Sequence, residues 1–139
     1  MPELIDLSKR AGRDGHLLES TVANLGEFLA QSPTPLYVAS VAELVEGVLW
    51  AELNDRFYRT LAFGTGGLRG RTIGRVVTRA EKGTPAALGR PEHPCVGTNA
   101  MNFYNVRRAT LGLATYVKEW WAAEKKPGRP GIVFAHDTR

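Results

Sequence analysis

Leu61-Ala-Phe-Gly-Thr-Gly-Gly-Leu-Arg-Gly-Arg-Thr-Ile-Gly74 holds five glycines, Gly64, Gly66, Gly67, Gly70 and Gly74. Glycine loses more conformational freedom on ordering than any other residue, so such a run needs a reason. Close approach of an anion to the backbone supplies one. Amides with no Cβ in the way form a nest for phosphate oxygens, Thr65 adds a hydroxyl donor, and Arg69 adds a planar fork that meets phosphate with two bonds. Arg71 lends further positive charge. The spacing excludes the common nucleotide loops. Where a Walker loop needs glycine and lysine, Arg69 and Gly70 follow Gly64, and Arg71 and Thr72 follow Gly66. A dinucleotide fingerprint needs its third glycine where Arg69 stands and a helix after it, whereas residues 72–78 read as a strand. The alternative is a glycine-rich turn leading into an edge strand.

Working outward, residues 15–30 read as an amphipathic helix, with Leu18, Val22, Leu25 and Leu29 at helical spacing and Phe28 widening the stripe. Ser32-Pro33-Thr34-Pro35 reads as an extended stop, which makes residues 1–39 a helical extension and linker ahead of a domain at 40–139. Ser40 and Glu43 have capping-box spacing, and Leu44, Val45, Val48, Leu49 and Leu53 follow on one face, predicting a helix that continues through Phe57. Asn54, Asp55 and Arg56 are candidates to cap or salt-bridge, though each side chain alone reads as part of a solvated face. Residues 79–95, with Gly83, Pro85, Gly89, Pro91 and Pro94, read as an irregular loop that is either a lid or an insertion.

After that loop comes a long helix. Asn102 is its N-cap, Val106, Ala109, Thr110, Leu113, Val117 and Trp120-Trp121 its buried stripe, and Lys125-Lys126 followed by Pro127-Gly128 its stop. Residues 131–135 form an apolar run expected for a central strand. Strand, helix and strand make a βαβ unit, so the expected class is α/β with a mixed sheet. His136-Asp137-Thr138-Arg139 would then stand at the carboxyl edge, where ligands of such sheets gather. A central strand with no covering helix after it implies a domain truncated at that edge, and the chain reads as a fragment.

Composition is that of a globular protein of 139 residues, 43% hydrophobic and 23% charged. No apolar run is long enough to span a bilayer, and the amino terminus lacks the basic and apolar regions of a signal peptide, so a cytoplasmic protein with no membrane partner is expected. A formal charge of +4 suits an anionic ligand. The basic residues lack the dense cluster and interleaved aromatics of a nucleic-acid surface, and no nucleic-acid partner is expected. One cysteine, Cys95, and three scattered histidines give no metal-ligand spacing, and Cys95 reads as a bystander.

Phe63-Gly64-Thr65-Gly66-Gly67-Leu68-Arg69-Gly70, preceded by Leu53-Asn54-Asp55-Arg56-Phe57-Tyr58 and followed by Gly97-Thr98-Asn99-Ala100-Met101-Asn102, resembles the amino-terminal part of the α-D-phosphohexomutases. The likeness is to the phosphoglucomutase and phosphomannomutase branch, and the terminal Val133-Phe134-Ala135-His136-Asp137-Thr138-Arg139 is similar to that family's next strand and its D-[ST]-R ending. The resemblance covers residues 53–139 and implies reversible phosphate transfer between the C1 and C6 hydroxyls of a hexose. Transfer would run through a phosphoserine enzyme and a bisphosphorylated sugar, with glucose 1,6-bisphosphate as intermediate or activator and Mg²⁺ as cofactor. The family's serine, its metal-binding aspartates and its sugar-contacting loop match nothing in this chain, so the resemblance implies an inactive piece whose partners are a phosphorylated hexose and the remaining domains of a longer polypeptide. Arg69 falls on the family's active-site arginine, and Thr65, Gly66 and Gly67 fall on its phosphate-placing loop. Asn102, Arg108 and Arg139 are further candidate phosphate contacts. The departures are residues 79–95, His136 where an aromatic or small residue is common, and the unmatched first 39 residues; they bear on branch and substrate. A reading from another class is a free-standing anion-binding module, for nucleic acid or a regulatory phosphate, that uses the same nest without chemistry.

Overall fold

Pro35, in place of stopping a helix, begins one. Its missing N–H would have no intrahelical partner at the first helical position, and the Thr34 side chain accepts from the Tyr37 amide at 3.2 Å, so Thr34 is the N-cap. In the computed structural model, which describes residues 2–64 and 66–133, the order is α1 (Pro2–Arg13), α2 (Glu19–Gln31), α3 (Pro35–Glu46), α4 (Trp50–Phe57), β1 (Phe63–Gly64), β2 (Gly67–Leu68), α5 (Arg79–Lys82), a 3₁₀ turn (Ala87–Gly89) and α6 (Phe103–Ala123). The chain divides into two compact units, Met1–Val106 and Arg107–Arg139.

The first unit is a helical cluster. Leu25, Phe28 and Leu29 of α2, Val41, Leu44 and Val45 of α3, and Leu53 and Phe57 of α4 form its core, joined by Leu4 and Ala11 of α1 and by Val96. Phe28 is the central aromatic, with edge-on contacts to Phe57 at 5.4 Å and Tyr104 at 4.8 Å and a tilted contact to Tyr37 at 4.8 Å. The core draws on both sides of position 39, where the sequence reading sets the extension apart from the domain. Asn54 ties α4 to the α1–α2 connection, donating to His16 O and accepting from the Leu18 amide. Asn24 of α2 donates to Phe57 O at the end of α4.

Three expectations change here. Ser40 is not an N-cap: it lies buried inside α3 and its hydroxyl donates to Glu81. The helix does not run on to Phe57, because α3 closes at Gly47 with the Val48 amide on Val45 O and the Leu49 amide on Leu44 O. Those paired bonds are the Schellman closure. And the mixed sheet and βαβ unit of the expected α/β fold are not seen among the described residues, which are mostly helical and carry one antiparallel pair, β1–β2, in register Phe63 with Leu68 and Gly64 with Gly67. Residues 72–78 form no strand because their backbone groups are taken elsewhere: Thr72 O accepts from the Cys95 amide and Val76 O from the Arg56 guanidinium. Residues 131–133 have no regular structure, and the rest of that expected strand, from 134, lies outside the described residues.

The second unit holds most of α6 and the segment after it. Trp121 Nε1 donates to Gly128 O at 3.2 Å, and the Lys126 ammonium stands 3.9 Å from the Trp120 ring centroid. Helix α6 has the expected extent, but its apolar stripe is not buried among the described residues: Leu113 is 50% and Trp120 40% exposed.

The α3 closure puts a β-branched residue where glycine belongs. Val48 has φ 55 and is 62% exposed, so it carries left-handed strain with little packing in return. Val48→Gly should therefore raise the free energy of unfolding by about 1 kcal/mol, read as a higher urea midpoint at unchanged slope. A lower midpoint would show that the valine is not strained.

Candidate functional site

Helix α4 places Arg56 one turn after Glu52, and both side chains face inward. The guanidinium is 0% exposed. Its Nε donates to Glu52 Oε1 at 2.8 Å, Nη1 to Glu81 Oε1 and to Val96 O at 3.1 Å, and Nη2 to Val76 O and to Glu81 Oε2 at 3.3 Å. These use all five N–H groups that arginine has.

Glu81 is delivered by a capping box. Thr78 accepts from the Glu81 amide while the Glu81 carboxylate accepts from the Thr78 amide, which starts α5 and turns the carboxylate inward. The same carboxylate accepts from the Val96 amide at 2.7 Å and the Ser40 hydroxyl at 3.2 Å. Burial alone would raise the Glu81 carboxyl, but the Arg56 hydrogen bond and charge, with the Val96 and Thr78 amides, outweigh it and hold the group below its ordinary value. Arg56 shows the converse: burial opposes its charge, and the two glutamates more than restore it. Gly74 lies against this cluster, where a Cβ would come within 2.8 Å of Glu52 Oε1 and 2.7 Å of Val76 O. Its glycine is therefore explained by arginine packing, with no anion required.

Around the cluster, two loops are stitched side by side. The Leu61 amide donates to Thr98 O at 2.7 Å, the Met101 amide to Arg71 O at 2.9 Å and the Asn99 amide to Arg56 O at 2.9 Å. Asn102 caps α6 as expected, accepting from the Asn105 amide at 3.1 Å, and its Nδ2 donates to Cys95 O and Gly97 O. Asn102 is thereby fully engaged and buried, which leaves it no group for a phosphate. Asn105 Nδ2 holds Thr98 O and Ala100 O in the same way.

The glycine hairpin stands on this support. Gly66 makes the β1–β2 turn with φ 80, a conformation that a side chain resists, and Gly67 lies half-buried in β2. Thr65 lies outside the described residues. Arg69 follows β2 and is exposed, and no ion pair or hydrogen bond engages its guanidinium among the described residues. Its nearest acidic neighbour in sequence, Asp55, is instead paired with Arg71, which also approaches Glu52 at 3.8 Å. Arg108 is exposed on α6 in the second unit, and Arg139 lies outside the described residues. Cys95 is buried and its thiol is pushed up by that burial, as fits a bystander.

Sequence reasoning missed Arg56, Glu52 and Glu81. The signal for Glu81 was the Thr78-x-x-Glu81 spacing, hidden by the glycines and prolines after it. Residues 79–95 are consequently more ordered than expected: besides α5, the Glu92 carboxylate accepts from the Thr84 amide and the Glu92 amide donates to Lys82 O. No group of His, Cys, Asp or Glu among the described residues could hold a metal ion. No protein-family model, curated protein or solved structure matches the chain.

Glu81→Gln keeps the shape but removes the charge facing buried Arg56, and should cost about 3 kcal/mol at neutral pH. Because the folded Glu81 value lies below the ordinary 4.5, its contribution is present above pH 4.5 and is lost as pH falls below it. Urea titrations from neutral to acid pH should show a steeper acid loss in the wild type than in Glu81→Gln; parallel profiles would remove Glu81 from the account.

Proposed function

We propose that this chain is the amino-terminal part of an α-D-phosphohexomutase of the phosphoglucomutase and phosphomannomutase branch, an isomerase of carbohydrate metabolism acting in the cytoplasm, and that its glycine hairpin and Arg69 bind the phosphate of a hexose phosphate. The observation that carries this reading is a division of labour among neighbouring arginines. Arg56 and Arg71 are both committed to carboxylates, while Arg69, the one that matches the family's active-site arginine, is exposed beside a left-handed glycine turn with no carboxylate paired to it among the described residues. A planar guanidinium next to open backbone amides is suited to a tetrahedral anion by charge and by geometry.

The finer fold, an α/β domain with α6 as its crossover helix, belongs to the same reading. Mg²⁺ finds no ligand set here. Glu52 and Asp55 of α4 are turned to Arg56 and Arg71, so the role assigned to the hairpin and Arg69 is phosphate binding and placement alone. The phosphoryl acceptor and the metal site would come from the remaining domains.

The test has two arms. With glucose 1-phosphate, Mg²⁺ and glucose 1,6-bisphosphate the chain alone should give no turnover above a protein-free control, because phosphoryl transfer needs the absent nucleophile. In ¹⁵N–¹H spectra, glucose 6-phosphate should shift the Gly66, Gly67 and Arg69 amides, and Arg69→Lys should weaken that binding about tenfold with the melting temperature unchanged. Turnover by the isolated chain would refute the mapping. Tighter binding of a single-stranded oligonucleotide than of the sugar phosphate would favour a non-catalytic anion module.

A further inference from the structure

Arg59, at the root of the glycine hairpin, is exposed, and like Arg69 it has no carboxylate paired to it among the described residues. Unlike Arg69, it is held in place. Its Nε donates to Asn99 Oδ1 at 3.0 Å, and its Cζ stands 5.0 Å from the Tyr58 ring centroid. Asn99 is itself fixed, its Nδ2 donating to Asp55 O at 2.9 Å and its amide to Arg56 O at 2.9 Å. The Arg59 carbonyl accepts from the Thr98 hydroxyl at 2.7 Å, so backbone and side chain are tied to the same segment. Neither Nη group of Arg59 has a partner among the described residues. Ordering so long a side chain costs conformational entropy that one surface hydrogen bond offsets only in part. A fork oriented from behind, with its outer edge unengaged, is pre-organised for an oxyanion.

We propose that Arg59 is a second guanidinium of the anion site formed by the hairpin and Arg69, and that the two together select a phosphate monoester. The inference rests on the phosphate reading of the hairpin and adds the class of phosphate it takes. One short segment carries both arginines. Thr98 and Asn99 hold Arg59, and the Met101 amide lies against Gly70, the residue after Arg69, where a Cβ would come within 3.1 Å of it. Asn99 and Met101 are two residues apart, so their α-carbons are separated by at most about 7 Å. Leu61, whose amide donates to Thr98 O, lies against Gly70 as well. The two side chains are therefore rooted close enough to meet on one phosphate.

The class of phosphate follows from its acceptors. Each fork takes two oxygens. A monoester presents three terminal oxygens and close to two negative charges, so two forks bind it by sharing one oxygen. A diester keeps two terminal oxygens and one charge, which a single fork satisfies. Arg56 and Arg71 do not supply the second fork, because they are turned to Glu52, Glu81 and Asp55. Arg59 with Arg69 thus separates a phosphorylated sugar from a nucleic-acid backbone, which Arg69 alone does not.

The test titrates the full chain with glucose 6-phosphate and with its methyl diester. The monoester should bind at least about tenfold more tightly, and Arg59→Gln should weaken monoester binding about tenfold while leaving the diester nearly unchanged. Arg90→Gln removes the same charge from an exposed side chain with no partner among the described residues, and should leave both affinities as they are. In the unsubstituted chain, the Arg59 Nη protons should become protected when the monoester is added, a readout that stands even if Arg59→Gln disturbs the segment at 98–101. Nη protons that stay averaged at saturation, or an Arg59→Gln chain that keeps the full monoester preference, would overturn this proposal while leaving Arg69 as the phosphate contact. Failure of glucose 6-phosphate to shift the Gly66, Gly67 and Arg69 amides would overturn the phosphate reading and this inference with it.

Discussion

Five N–H groups of one buried guanidinium hold the first unit together beyond its hydrophobic core. Taking Arg56 out of water costs several kcal/mol unless every donor and the charge are compensated. Two glutamates and two backbone carbonyls do that, and each comes from a different place in the chain: Glu52 from α4, Glu81 from α5, Val76 from the segment after the hairpin and Val96 from the segment before α6. The interaction is therefore a positional constraint more than a source of net stability. Any arrangement that leaves one of these segments elsewhere strands a buried charge.

That constraint explains how segments with little regular structure keep a defined course. Residues 72–78 have no sheet to join, yet Val76 O is held by Arg56 and Thr72 O by the Cys95 amide. The loop before α6 is held by Asn99 on Asp55 O and by Asn102 and Asn105 on four carbonyls. Between them stands the hairpin, fixed at its base by Leu61 on Thr98 O and by Arg71 on Asp55, while Gly64, Gly66 and Arg69 are exposed. An anchored base with an exposed cation that no carboxylate pairs among the described residues is what the proposed phosphate-placing role would need.

Much of the helical content could be read from the chain because it rests on local signals. The periodicity of Val22, Leu25 and Leu29 and the Asn102 cap are local, and α2 and the start of α6 lie where those signals put them. What escaped depends on distant partners or on competing local signals. Ser40 and Glu43 have capping-box spacing, but Thr34 and Pro35 start the same helix six residues earlier, and Ser40 is drawn inward by Glu81, 41 residues on. Arg56, flanked by Asn54 and Asp55, looks like a solvated charge until Glu81 and two carbonyls from later segments surround it. The strand expected at 72–78 has the right β-branched residues, but a strand exists only through a neighbour, and here the neighbour is an arginine. Of the residues singled out for the site, Arg69 is exposed after β2, whereas Gly74 belongs to the arginine support.

The central claim is that neighbouring arginines divide into a structural one and a ligand-facing one, and side-chain NMR of the guanidinium groups measures it directly. The account predicts that Arg56 shows separate, slowly exchanging Nε and Nη protons that do not move when glucose 6-phosphate is added. Arg69 should show rapidly exchanging, averaged signals that become protected on that addition. Protection of Arg69 in the free protein, with Arg56 exchanging freely and responding to the sugar phosphate, would contradict it.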